Sequence, residues 1–392
     1  MTFYQAGKVL DLGESLHALG DWLGLVDPRE AANVDALDEV PDSTWFTNRH
    51  HRTRLSPEEL ARGPNAGPPP ATDGPLTVRS GKALGQTPGF LIEDRLGRRY
   101  FIKFDPPGIP DMATGAELVS ARILGALGWN VPSYHLFLLD PARLTLAPGA
   151  TTKDEYRRTR PMTEADVARV LERGERRPDG RYRTVASLLI PGKPKGPFRT
   201  LGARPDDPND RVPHEDRREL RGLRAVAAWI HYTDARRGNT FDTFIEGERK
   251  GYGHLEHYWI DFSSTLGSGN IAYKSPKDGH EYFVDPPTIF SSLLAVGFWV
   301  KPWEDPPPVR HPALGHFEAA TFEPDEWRTT YPNPLFDHAT SRDLFWGAKL
   351  VAAFDDEDLR IVTAAGGWSD PAAERELFDI LRSRRARIAE AY

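Results

Sequence analysis

WIHYTDARRGNT, residues 229–240, turns from apolar to polar within one step. It closes an apolar pattern of helical period made by Leu220, Leu223, Val226, Ala227 and Ile230. The spacing predicts one long helix over Glu215–Thr233 that delivers Asp234. Asn239 stands five positions after Asp234, with Arg236 and Arg237 between them. Further on, Trp259-Ile260-Asp261-Phe262 reads as a short apolar strand ending in an acid. A loop Asp can orient a hydroxyl and accept its proton. An Asn and a second Asp offer the oxygen ligands that Mg²⁺ demands. The plainer reading is an Asp/Asn-capped turn after a helix.

Upstream lies a β-rich stretch. Leu76-Thr77-Val78, Phe90-Leu91-Ile92 and Tyr100–Phe104 read as three strands. Ser80–Gly89, SGKALGQTPG, is a glycine-bearing turn between the first two. Gly81, Gly85 and Gly89 would let backbone N–H groups approach phosphates. A hairpin turn explains them as well, since G-x-G-x-x-G is absent. Lys103 alternates with Phe101, so it points away from Tyr100, Ile102 and Phe104. It is either a solvated strand lysine or one that reaches into a cleft. A helix over about Ala116–Leu127 follows, capped by Asp111 or Thr114. Glu117 falls in its first turn, where it either complements the helix dipole or pairs with Lys103. Gly128 ends the helix. Tyr134–Leu139 and Tyr182–Ile190 read as strands around a charged, partly helical insertion near 141–181, with a hinge at Pro191-Gly192-Lys193.

Downstream, Phe241–Glu246 and Glu256–Asp261 read as short strands flanking a Gly-rich turn. Residues 263–340 are irregular, with Trp299, Trp303 and Trp327 as packing residues. Helices return over Ser341–Phe354, Glu357–Ala364 and Pro371–Glu390. Arg382, Arg384, Arg385 and Arg387 read as a solvated face, with an anionic partner as the alternative. At the other end, Leu10–Leu25 reads as an amphipathic helix, and Trp45 and Phe46 as anchors laying their segment on the body. Residues 61–75 are a Pro/Gly-rich linker. His50, His51, His254 and His257 read as surface or core-rim histidines rather than zinc ligands.

The 392 residues suffice for two lobes and a sizeable core. A net charge of −7 gives no support to non-specific nucleic-acid binding. No apolar run is long enough for a membrane span. With no cysteine in the chain, thiol nucleophiles and Cys-bound zinc are ruled out, while the compartment stays open. As given, the sequence reads as cytoplasmic because Met1–Leu10 lacks a leader pattern, with an exported form left open.

In order, the pieces are strand, Gly loop, strand, strand with Lys, helix with Glu, strands, hinge, helix, Asp-x-x-x-x-Asn, strand ending in Asp, and a helical tail. This order resembles an atypical, HipA-like or CotH-like member of the protein-kinase-like fold, over roughly residues 75–390. The Asp-to-Asn step equals that of the protein-kinase catalytic loop. Asp-Ala-Arg-Arg-Gly-Asn is closer to the loop of phosphatidylinositol 3/4-kinases and HipA-like kinases. The resemblance implies an α+β, two-lobed fold with a β-rich N-lobe over 76–193 and a mainly helical C-lobe over 194–392. It implies an ATP- and Mg²⁺-dependent phosphotransferase, with Mn²⁺ an alternative ion, acting on a hydroxyl of a protein or small molecule. By the same resemblance Lys103 matches the nucleotide lysine, Glu117 its partner and Asp234 the catalytic Asp. Asn239 and Asp261 match the metal ligands, and Arg236 or Arg237 would steady transferred charge. The chain departs from the pattern with Thr233 before Asp234, Ser263 after Phe262 and no A-P-E. A pseudokinase serving as a nucleotide-binding scaffold and a kinase-fold AMP transferase are the two alternatives.

Overall fold

The computed structural model describes residues 29–63, 67–82, 87–283, 301, 303, 306 and 308–392. The expected helix Leu10–Leu25, Gly85 and Trp299 lie outside these residues. The leading segment lies on the body through Trp45 and Phe46. Trp45 stacks on His257 with ring centroids 3.5 Å apart, and Phe46 meets Trp129 and Trp346 edge-on. A short helix, α1 (Pro57–Arg62), follows, capped by Ser56 and Glu59 in a reciprocal capping box.

Seven strands build one sheet: β1 (Leu76–Gly81), β2 (Gly89–Glu93), β3 (Arg99–Phe104), β4 (Tyr134–Leu139), β5 (Leu144–Lys153), β6 (Thr159–Pro161) and β7 (Tyr182–Leu188). Their order is β4-β7-β3-β2-β1-β5-β6. All pairs are antiparallel except β1 with β5. Period-two alternation sorts the faces. Leu76, Val78, Phe90, Ile92, Tyr100, Ile102 and Phe104 enter one core with Met162 and Val167. The charged segment after β4 therefore extends this sheet by two strands and covers its apolar face with α3 (Glu164–Leu171).

The helix after β3, α2 (Met112–Leu127), starts four residues before its expected start and is buried along its whole length. Neither proposed cap works as one. Asp111 sits at the N-cap with φ 68° and makes no cap bond. Asp105 does the capping: its carboxylate accepts from the Asp111 and Thr114 backbone N–H groups at 3.0 and 2.8 Å. The earlier start puts Glu117 in the second turn and fully buried, so dipole complementarity does not explain it.

In the other half, the expected single helix over Glu215–Thr233 is broken into α4 (Arg218–Arg221) and α5 (Leu223–Trp229). Gly222 marks the break because α7 (Ser341–Ala352) crosses there. A Cβ on Gly222 would lie 2.6 Å from Trp346, and one on Gly347 would lie 2.2 Å from the Gly222 carbonyl oxygen. A short α6 (Pro334–Asp337) precedes α7, and α8 (Asp356–Ala364) and α9 (Pro371–Ala391) follow it. The expected hinge runs into β8 (Lys193–Gly196), which pairs with β9 (Thr240–Glu246) and β10 (Gly253–Trp259) in a three-stranded sheet. One large core joins α2, α5, α7, α8 and α9 with Trp45, Phe46 and Trp259. The architecture is thus a mixed α/β one, β-rich in the first half and helical toward the C-terminus.

The basic stretch of α9 is not uniformly solvated. Arg384 is 3% exposed, with its guanidinium over the Phe322 ring. Trp327 is buried, and Trp303 stacks on His280.

Candidate active site

Lys103 projects from β3 on the face opposite Ile102, beside the exposed Phe101. There α2 covers it, and its Nζ donates to both Glu117 oxygens at 2.6 and 2.7 Å. The same Nζ donates to Asp261 Oδ1 at 2.8 Å. One ammonium therefore joins a strand, a helix and the segment just past β10. Burial alone would lower the Lys103 pKa, but the Asp261 and Glu117 carboxylates raise it above the ordinary lysine value. Burial would likewise raise Asp261, yet the Lys103 and Lys82 ammonium groups hold it well below the carboxylate range.

Asp261 lies two residues past the end of β10. Its backbone takes φ 63°, a left-handed conformation uncommon outside glycine. Ser263 Oγ donates to Oδ1 at 2.9 Å, and the Asp261 backbone N–H donates to the Tyr134 hydroxyl at 3.3 Å. Oδ2 carries no hydrogen bond among the described residues, and the side chain is 29% exposed. It is the oxygen available to a cation.

The loop after α5 is tied to this point through the backbone. Ile260 N–H donates to the Asn239 carbonyl oxygen at 2.9 Å, where β10 and β9 part. Asn239 is buried, and its amide nitrogen donates to the Asp234 carbonyl oxygen at 2.8 Å and to Asp234 Oδ2 at 2.9 Å. That leaves Asn239 Oδ1, the atom a cation would use, uncommitted to Asp234. Arg236 Nε donates to Asp234 Oδ1 at 2.5 Å, and both side chains are 22% exposed. Asp234 thus faces the edge of solvent, held by an amide and a guanidinium. Gly81 closes β1, and a Cβ on it would meet Thr152 and Met162 rather than any of these side chains.

Three residues that the sequence did not place at the site, Lys274, Lys82 and Arg384, also hold it. Lys274 is fully enclosed, and its Nζ donates to Thr233 Oγ1 at 2.5 Å and Ser264 Oγ at 3.1 Å. It clamps the segment after Asp261 onto the residue before Asp234. Arg384 donates to the Ala228, Trp229 and Glu318 carbonyl oxygens at 2.7, 3.0 and 2.7 Å. It supplies donors to the C-terminal carbonyls of α5, from which the Asp234 loop departs. Lys82, directly after β1, has its Nζ shielded from solvent, and its charge acts on Asp261, Lys103 and Glu117. None carried a signal: the two lysines match no motif, and Arg384 stands in a basic run that reads as a solvated face.

The donor set suits a hard cation. Mg²⁺ takes one or two carboxylates and completes its shell with phosphate oxygens and water. Asp261 Oδ2 and Asn239 Oδ1 supply oxygens of that kind. Among the described residues no group of three or more His, Cys, Asp or Glu could hold a metal. His257 is bonded to Asp242 and His50 to Asp358.

No protein-family model matches the sequence, and no curated protein matches it. Among solved structures, the chain is similar to one described as the Golgi casein kinase with Mn/ADP bound. The identity is 10%, the TM-score 0.36, and the match covers 96% of this chain and 87% of that one. A likeness so loose carries no function across.

Proposed function

We propose that this chain is an ATP-dependent phosphotransferase with the two-lobed arrangement of atypical kinases, moving the γ-phosphoryl group to a hydroxyl acceptor. The observation that supports it best is the Lys103 Nζ bridging Glu117 and Asp261 across three separate elements. Positioning and electrostatics do most of the work in phosphoryl transfer, so preset charges matter more than covalent chemistry. Lys103, steadied by Glu117, neutralises phosphate charge. Asp261 and Asn239 would hold the divalent ion, which would supply positive charge against the phosphates. Asp234 orients the acceptor hydroxyl and takes its proton as the new O–P bond forms and the β–γ phosphoanhydride bond breaks, ADP leaving with that electron pair. Arg236 holds the Asp234 carboxylate in line through its 2.5 Å contact. In this reading the N-lobe spans 76–193 and the C-lobe 194–392.

The test is nucleotide binding followed by product identity. A ligand that binds only the native state raises the melting temperature by mass action. ATP should do so strongly with Mg²⁺ or Mn²⁺ and weakly without. Chromatography of the spent nucleotide should then show ADP. AMP with pyrophosphate would turn the reading to nucleotidyl transfer. Metal-dependent binding without turnover, tried over a panel of hydroxyl acceptors, would turn it to a nucleotide-binding scaffold. No metal-dependent shift at millimolar ATP would end it.

A further inference from the structure

Lys82 leaves β1 at its last residue, Gly81, and its backbone N–H donates to the Gly89 carbonyl oxygen at 3.0 Å. Its side chain runs back across the sheet rather than out to solvent. A Cβ placed on Gly89 would lie 3.6 Å from Lys82 Cδ, an ordinary packing distance, so the lysine stem lies against Gly89. Gly89 is the register partner of Lys103. The Lys82 stem therefore passes over the residue opposite Lys103 and carries a second ammonium into the same site.

The charges there are not matched contact for contact. Lys103 takes both Glu117 oxygens and Asp261 Oδ1. The Lys82 Nζ is buried and makes no hydrogen bond among the described residues. A shielded ammonium without an acceptor is costly, and sites keep such groups for what they bind. An oligophosphate brings several anionic oxygens into the place where the two carboxylates are already engaged.

We propose that Lys82, directly after β1, is a second phosphate-binding cation, which selects nucleotides by the charge of their phosphate chain. This rests on the nucleotide-binding reading above. Lys82 contacts non-bridging oxygens of the terminal phosphates, while Lys103 stays tied to Glu117. Affinity then falls steeply from ATP to ADP to adenosine.

Lys82→Met keeps the length of the stem and removes the charge. Charge-assisted hydrogen bonds are worth enough that ATP affinity, measured by titration calorimetry with Mg²⁺, should drop about ten- to hundredfold. Adenosine affinity should stay unchanged, and Lys82→Arg should recover part of the loss for ATP. The melting temperature of the nucleotide-free variant should hold or rise, because an unmatched buried charge has been replaced by an apolar chain. A purely structural lysine, pairing with Asp261, would instead lower it. If the wild type binds ATP and Lys82→Met binds it equally well, the inference fails while the phosphotransferase reading stands. If the wild type binds no ATP, both fall together.

Discussion

The two sides of the site are held by different forces. On the sheet side, Lys103 and Glu117 form an enclosed ion pair, 7% and 0% exposed, that also reaches Asp261. On the loop side, Asp234 is held by a neutral amide and one arginine at the edge of solvent, and the loop itself by bonds to backbone carbonyls and hydroxyls. Removing one member of a buried pair leaves an uncompensated charge and typically costs about 3–5 kcal/mol. Lys103→Ala, which looks harmless if the lysine is solvated, would therefore confound folding with binding. Variants on the loop side separate them.

The largest effect is expected where the two sides meet. Asp261→Asn removes the carboxylate that offers Oδ2 to a cation and leaves Lys103 its bond to Glu117. Metal-dependent stabilisation by ATP should disappear and transfer fall below detection, read by melting curves and by ADP formation on the same sample. Wild-type metal dependence in this variant would remove Asp261 from the cation site.

Asp234→Asn comes next and isolates the loop side. It keeps shape but cannot accept the proton as a carboxylate does, a loss of about 10²–10⁴-fold in rate for a general base. Mg·ATP affinity should stay near wild type, since Asp234 lies with Arg236 and Asn239 rather than with Lys103. Full transfer activity would reduce WIHYTDARRGNT to a structural turn.

The same contrast explains what could be read from the sequence. Lys103, Glu117 and Asp261 could be singled out only through the order of elements that resembles the kinase-like fold, since the residues alone leave a solvated lysine and a helix-dipole acid equally open. The five-residue step from Asp234 to Asn239 was legible because it is local. What depends on packing was not. The break at Gly222 follows from the close crossing of α7, which no local pattern in that helix announces. Residues 144–153, LTLAPGATTK, carry Pro148 and Gly149, and their strand is recruited by β1 rather than by their own alternation. Arg384 looks like its basic neighbours, and only the buried carbonyls of α5 distinguish it.

Arg384 gives the third prediction. Arg384→Met removes the side-chain donor of the Trp229 and Ala228 carbonyls, of which Ala228 keeps the His231 N–H at 3.2 Å, at a cost of about 1–3 kcal/mol by the usual penalty for a buried unsatisfied group. Denaturant midpoints measure it. Arg382, 48% exposed by its side chain, is the control, and Arg382→Met should stay within about 0.5 kcal/mol. If transfer in Arg384→Met falls while Mg·ATP affinity holds, the loop side depends on its carbonyl clamp. Equal stability of the two variants would deny Arg384 that role.

The smallest effect asks whether each half carries its own response to acid. His135 on β4 and His51 against the helical half both have pKa values pushed down to about 4, in each case first by burial. Both nitrogens of His51 and the Nε2 of His135 are buried without a hydrogen-bond partner among the described residues. The unfolded chain binds these protons near pH 6.5 and the folded chain refuses them until about pH 4. The contribution to stability is thus fully present above pH 6.5, falls as pH drops toward 4, and is flat above neutrality. Both rings are partly exposed, so the loss discounts to on the order of 1 kcal/mol per histidine. Unfolding free energies at pH 7 and pH 4.5 should therefore differ less in His51→Leu or His135→Leu than in the wild type. A combined variant should recover the sum, because the two sites share no contact and distant effects add. An unchanged pH dependence in His135→Leu alone would place the acid sensitivity in the helical half and leave the sheet half to its ion pair.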